Sequence, residues 1–268
     1  MSRTRSLAAA QTIPDPGDLE ANLDQHLELA RVAAAEGAGI AVFPELSLTG
    51  YELDLASELA LSEDDPRLEP LLETARSSDR ALVGDRADRR APVRIGPRLH
   101  LGAFVLSPDR TVQLYTKRRL GAFTDDVSRG GPVPPAESTV FEPGDREPLV
   151  EIGAERAAVA ICAEAGRASH VARGEGRGGR AYLASAFVIP SDLEDDTARL
   201  QRYVELRSTP VVFSNFGGPS GGLPAAGRSA IWSGAGDLLA RLEGSGKGVA
   251  VAVDRPDGWD AAAIMLDR

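Results

Sequence analysis

The chain has 268 residues, 43% hydrophobic and 26% charged, a balance that excludes a fibrous, collagenous or wholly disordered polymer and suffices for one sizeable core. Its formal net charge of −10 repels phosphate backbones, which argues against a nucleic-acid partner. The single cysteine, Cys162, permits no intrachain disulfide and no apolar run approaches a membrane span, so one cytoplasmic domain over residues 1–268, with no membrane partner, is expected.

In chain order, Ser6 to Gln11 reads as a strand. Asp18 then caps a helix with Leu19, Leu23, Leu27, Ala30 and Ala34 at spacings of three and four, which Gly37 and Gly39 stop. Ile40 to Phe43 is a short apolar run closed by Pro44, the pattern of a buried strand, so Glu45 sits just past a strand end. A helix over Pro66 to Ser78 and a strand over Ala81 to Gly84 follow. Strands over Leu99 to Leu106 and Thr111 to Thr116 are joined by a turn at Ser107 to Arg110. Gly121 to Ala136 has no periodicity and reads as a long loop.

Ala157 to Ile161 is another buried strand, followed by Cys162 and a weak helix that frays into the Gly/Arg stretch Arg173 to Arg180. Tyr182 to Val188 reads as a strand, Asp195 to Arg207 as a helix and Pro210 to Ser214 as a strand. Arg228 to Trp232, Leu238 to Leu242 and Gly248 to Val253 read as further strands joined by glycine turns. Strands alternating with helices, then strand pairs, indicate an α/β layered fold.

Three buried strands thus end in a reactive side chain: Glu45, Lys117 and Cys162. A thiol attacks a carbonyl as its thiolate, so it needs a base for its proton and a cation for the anion that forms. All but two of the 30 basic residues are arginine, yet position 117 holds a lysine beside Arg118 and Arg119. A compact ammonium fits beside an oxyanion where the broad guanidinium does not.

At this point the residues resemble the carbon-nitrogen hydrolase, or nitrilase, superfamily, in its amidase-like branch. The matching segments are Phe43-Pro44-Glu45 with Leu48 to Tyr51, Tyr115 to Leu120, Glu137 ahead of Val140 to Gly144, and Ile161-Cys162-Ala163-Glu164. Later segments also match: Val211 to Asn215 with Gly217, Gly227 to Ser229, and Gly236 to Leu239. The resemblance implies a four-layer αββα sandwich and a Glu-Lys-Cys triad, with Cys162 as nucleophile, Glu45 as general base and then acid, and Lys117 as oxyanion stabiliser. Glu137 would be an orienting carboxylate. The Ala163 backbone N–H would be a second oxyanion donor, and Glu164, Tyr51 and Phe187 are candidates for the substrate side of the site. The implied reaction is hydrolysis of a small linear amide through a thioester, with no cofactor. Alternatives are nitrile hydrolysis and a binding or regulatory homologue without turnover. The departures are Glu164, where many members have aspartate, the Gly/Arg-rich stretch after the nucleophile, and the length of the Gly121 to Ala136 loop.

Other motifs have plainer readings. Gly218 to Gly222 satisfies G-x-S-x-G, but Pro219 and the following glycines cannot open the helix of a nucleophile elbow, and no histidine follows Ser220. Gly244 to Lys247 lacks the spacing of a phosphate loop and reads as a hairpin turn with Lys247 solvated. His26, His100 and His170 lack the spacing of metal ligands, and His170 reads as a helix-surface residue, with a Cys-His dyad as the minor alternative. Arg173 to Arg180 reads as mobile surface or, less favoured, an anion subsite. The resemblance also implies a homodimer or higher homo-oligomer, to which Val249 to Val253 and Trp259 to Leu266 would lend apolar surface.

Overall fold

A computed structural model describes residues 5–76, 86–123 and 133–267. The first strand, β1 (Ser6–Gln11), is buried along its whole length, and its neighbour β2 (Ile40–Val42) runs parallel to it. Between them lies α1 (Leu19–Ala35), whose first turn is capped by Asp18 Oδ1 accepting from the Ala21 N–H at 3.0 Å. Gly37, at φ +88°, adopts the left-handed conformation that ends the helix. The short α2 (Ala56–Leu59) and α3 (Glu69–Arg76) follow, the latter entered through a 3-10 turn at Pro66–Leu68.

The antiparallel strands β3 (Arg86–Ile95), β4 (Arg98–Leu106) and β5 (Val112–Thr116) complete this half. The strand expected at Ala81 to Gly84 lies outside the described residues. β3 itself escapes sequence reading because it is rich in arginine and contains Pro92, which break the apolar pattern of a buried strand. It holds its place through pairing with β4 across nine positions.

In the second half, β6 (Val150–Ile152) and β7 (Glu155–Ile161) form a hairpin, and α4 (Ala168–Gly176) returns the chain to β8 (Ala181–Ser185). α5 (Leu193–Arg207) leads to β9 (Val211–Ser214), and β7, β8 and β9 run parallel. β10 (Ala230–Trp232), β11 (Leu238–Arg241), β12 (Lys247–Arg255) and β13 (Gly258–Leu266) follow. β8 stops earlier than expected. The Asn215 side chain replaces the ladder there, accepting from the Val188 N–H at 2.8 Å and donating to the Val188 carbonyl at 3.1 Å. Phe187 therefore sits in irregular backbone just past a strand end.

Among the described residues the strands form two sheets, in the orders β13-β12-β1-β2-β3-β4-β5 and β11-β10-β9-β8-β7-β6. Alternation along each strand builds three apolar layers. Leu7 and Ala9 of β1, Ile40 and Val42 of β2, Val159 and Ile161 of β7 and Leu183 of β8 meet between the sheets. Ala8, Ala10 and Phe43 face α1, and Phe104 and Leu106 face α3. Tyr182, Ala184 and Phe213 face α4 and α5 through Val171, Leu200 and Val204. The result is the expected four-layer αββα sandwich, in which each fully buried large apolar side chain contributes about 1.5–3 kcal/mol of transfer free energy.

β12 belongs to this core. Val249 and Val251 are buried beside α1 and Ala250 and Ala252 between the sheets, so this strand has no apolar surface to lend a partner. The outer position falls to β13, an edge strand whose residues are exposed or half-buried.

Candidate active site

The carboxyl ends of β2, β5, β7 and β8 converge, because β5 is antiparallel to β4, which is antiparallel to β3, restoring the direction of β2. Glu45, Lys117, Cys162 and Phe187 follow these ends within a few residues, as expected where loops at strand ends build a site. Two of the adjoining positions are strained: Leu46 has φ +52° and Cys162 φ +47°, the left-handed region that non-glycine residues enter only when the surroundings enforce it.

The charged groups form one cluster. Lys117 Nζ lies 2.5 Å from Glu45 Oε1 and 2.8 Å from Glu137 Oε1, and all three side chains are buried. Both oxygens of Glu137 are engaged. Its Oε1 also accepts from the Tyr51 hydroxyl at 2.9 Å, and its Oε2 accepts from the Gly121 N–H at 2.8 Å. Glu45 differs, because its Oε2 is buried without a hydrogen-bond partner, while the Cys162 thiol lies 4.0 Å from the Phe187 carbonyl. Lys117 is held by its backbone as well: its N–H donates to the Leu101 carbonyl and its own carbonyl accepts from the Gly144 N–H, each at 2.8 Å. Glycine is required at 144, since a Cβ there would overlap Thr116.

Burial sets the electrostatics. It pushes the Glu45 carboxyl up to about 7; Lys117 opposes the rise and Glu137 adds to it. Burial lowers the Lys117 ammonium, but the charges of Glu45, Glu137 and Cys162 outweigh it and its pKa is raised. The Cys162 thiol is raised by burial and by Glu45, with Lys117 opposing. Ionising the thiol therefore depends on handing its proton to a partner.

Cys162, Ala163 and Glu137 line a cleft of about 470 Å³. Tyr51, Phe123 and Phe187 form an aromatic wall, with ring centroids 5.3–5.6 Å apart in edge and tilted contacts. Arg167 and Arg199 stand exposed along the same cleft, with Asp192 and Asp196 half-buried beside them. Ala163 lies in a 3-10 turn, Cys162–Glu164, whose leading N–H groups have no partner within the turn. Phe123 and the charged residues along the cleft were not legible in the sequence. The only signal for Phe123 is a lone aromatic in an aperiodic loop.

Several expectations are corrected. Glu164 is not on the substrate side: it is buried outside the cleft lining, with four donors on its carboxylate. His170 is not on the helix surface. It is buried, with Nε2 3.2 Å from the Tyr115 hydroxyl and Nδ1 2.9 Å from that of Tyr182, so its ring nitrogens are engaged away from Cys162. Burial lowers its pKa. Arg173 and Arg177 face Glu147, at 3.0 and 3.9 Å, rather than the cleft. Lys247 is not a solvated turn residue, since its ammonium lies 2.6 Å from Glu28. The turn before it directs the Gly244 and Gly246 carbonyls onto the Gln11 amide, which is no cradle for phosphate. Ser220 accepts from the Tyr51 N–H at 2.7 Å, a support for that residue's backbone.

Comparison with known proteins shows the family and the fold. Residues 6–260 match the family model described as carbon-nitrogen hydrolase. Among solved structures, a cysteine-to-alanine mutant of the amidase from Nesterenkonia sp. AN1 in complex with butyramide superimposes with a TM-score of 0.78 at 21% identity, over 96% of this chain and 92% of that one. Another amidase structure from Nesterenkonia sp. gives the same TM-score at 23% identity, with the same coverage. An aliphatic nitrilase from Sinorhizobium fredii (strain HH103) is 48% identical over 44 residues, a segment that spans 16% of this chain and 14% of that protein.

Proposed function

Because the chain belongs to the carbon-nitrogen hydrolase family, we propose that it hydrolyses a small linear amide through a thioester on Cys162. The observation that carries this reading is the buried Glu45–Lys117–Glu137 cluster against a cysteine that opens onto a cleft. In the first step the thiol proton passes to Glu45 and sulfur bonds to the amide carbon. The carbonyl oxygen takes the negative charge and is held by the Lys117 ammonium and the Ala163 N–H. Glu45 returns its proton to the departing nitrogen as the C–N bond breaks, leaving the acyl group on sulfur. A water molecule then gives a proton to Glu45 and its oxygen to the acyl carbon. The C–S bond breaks, and the thiol recovers the proton.

Both oxygens of Glu137 already accept hydrogen bonds, which supports an orienting role for it and for Tyr51, which donates to the same oxygen as Lys117. The aromatic wall favours a small apolar acyl group. The bound butyramide of the Nesterenkonia amidase is a compound of that kind.

Rapid acid quench followed by mass spectrometry should show an acyl adduct on Cys162, and Cys162→Ala should be inactive. Full turnover by that variant would sink the reading. A second reading, nitrile hydrolysis, draws on the segment shared with the aliphatic nitrilase. Product analysis on paired butyramide and butyronitrile separates the two. A homodimer is part of the same proposal, and sedimentation giving only a 28.2 kDa species at micromolar concentration would count against it.

A further inference from the structure

Glu164 lies two residues beyond Cys162, buried and outside the cleft. Its Oε1 accepts from the N–H groups of Arg118 and Arg119, at 2.8 and 3.2 Å. Its Oε2 accepts from the Tyr115 hydroxyl at 2.6 Å and from the Ile161 N–H at 3.2 Å. Four donors match the acceptor capacity of a carboxylate, so nothing is left over for substrate.

The identity of the donors is what matters. Tyr115, Arg118 and Arg119 bracket Lys117 on both sides, and Ile161 immediately precedes Cys162. One carboxylate therefore ties the strand end that presents the ammonium to the strained turn that presents the thiol. Tyr115 gives its proton to Glu164, so its oxygen accepts from His170 Nε2–H, and His170 Nδ1 lies 2.9 Å from the Tyr182 hydroxyl, which also reaches the Glu164 carbonyl at 3.4 Å. This chain fixes the rotamer of the Tyr115 hydroxyl and anchors the clamp to α4 and β8.

We propose that Glu164 is a positioning residue, whose carboxylate sets the distance and angle between the Cys162 thiol and the Lys117 ammonium. The inference rests on the reading of Cys162 as nucleophile. Glutamine tests it well, because its NH₂ group must face either the two backbone N–H groups of Arg118 and Arg119 or the Ile161 N–H, a donor against a donor.

The experiment compares Glu164→Gln with the wild type in two ways: the rate of Cys162 alkylation by iodoacetamide across pH, and kcat and KM for butyramide. In the folded variant both kcat and the alkylation rate at neutral pH are expected to fall about 100-fold, the order of loss from an ångström-scale misplacement. KM should stay within a few-fold, and the alkylation profile should move along the pH axis. Tyr115→Phe removes one of the four donors and is expected to lower both rates by about 5-fold. If Glu164→Gln does not fold, Tyr115→Phe carries the test alone. A folded variant that loses thermal stability but keeps both rates within twofold of the wild type overturns the proposal, because a merely structural brace would behave so. A change confined to KM also overturns it and restores a substrate contact. Should the wild type cleave no amide, the reading of its reaction fails, while the alkylation comparison still decides the role of Glu164.

Discussion

The Lys117 ammonium lies 2.5 Å from Oε1 of Glu45, and Oε2 of the same buried carboxyl has no hydrogen-bond partner, so it is the oxygen to which the proposed mechanism assigns the thiol proton. Glu45→Gln removes the acceptor while Lys117 keeps its partner Glu137, so the fold should survive. Turnover is expected to fall by about 10²–10⁴, the contribution of a positioned acid–base group. Circular dichroism and steady-state kinetics on one preparation check both halves. Retained turnover would remove Glu45 from the reaction.

The pH dependence follows from burial. With its carboxyl at about 7, Glu45 accepts a proton only as the carboxylate, so kcat/KM should rise as pH increases through that value. Stability should move the other way. The folded pKa lies above the ordinary 4.5, so the folded state holds the extra proton in between, and the group's contribution to stability falls as pH rises from about 4.5 to about 7. Denaturation curves for the wild type and Glu45→Gln across that window measure it, and a difference that grows with pH would reverse the sign. The limb belongs to the coupled cluster rather than to one residue.

Lys117 has no room for a larger cation, with one carboxylate oxygen at 2.5 Å and another at 2.8 Å. Lys117→Arg keeps the charge but should lose at least about 100-fold in kcat, the cost of a misplaced oxyanion donor. Lys117→Met leaves two carboxylates buried without their cation and should destabilise the protein by about 3–5 kcal/mol in chemical denaturation. An arginine variant within about 10-fold of wild-type kcat, on the scale of that donor's loss, would remove the geometric argument.

Glu137 and Glu45 touch the same ammonium, yet only Glu45 has a spare oxygen. Glu137→Gln is therefore expected to impair kcat less than Glu45→Gln, by disturbing Lys117 and Tyr51 without removing the proton carrier. Parallel kinetics on the two folded variants decide the matter. If Glu137→Gln is the more damaged, the two carboxylates exchange roles.

Much of the site was legible because it is written locally. An apolar run closed by Pro44, another closed by Cys162 and a lysine kept among arginines mark strand ends by composition alone, and strand ends are where sheets of this kind gather function. The α1 cap at Asp18 and the glycine stop at Gly37 are equally local. What stayed hidden depends on pairing across the chain. β3 is a strand because β4 lies beside it, and its arginines and Pro92 hide that from any periodicity. Glu164 reads as a pocket residue until the fold brings Tyr115, 49 positions away, and the Arg118 N–H, 46 positions away, onto its carboxylate. His170 reads as a surface residue until two tyrosine hydroxyls close on its ring. Sequence alone determined which side chains carry reactive groups and that they follow strand ends. Tertiary structure decided which of those groups keep a free atom for chemistry, because hydrogen-bond donors from distant segments fill some carboxylates and leave Oε2 of Glu45 unfilled.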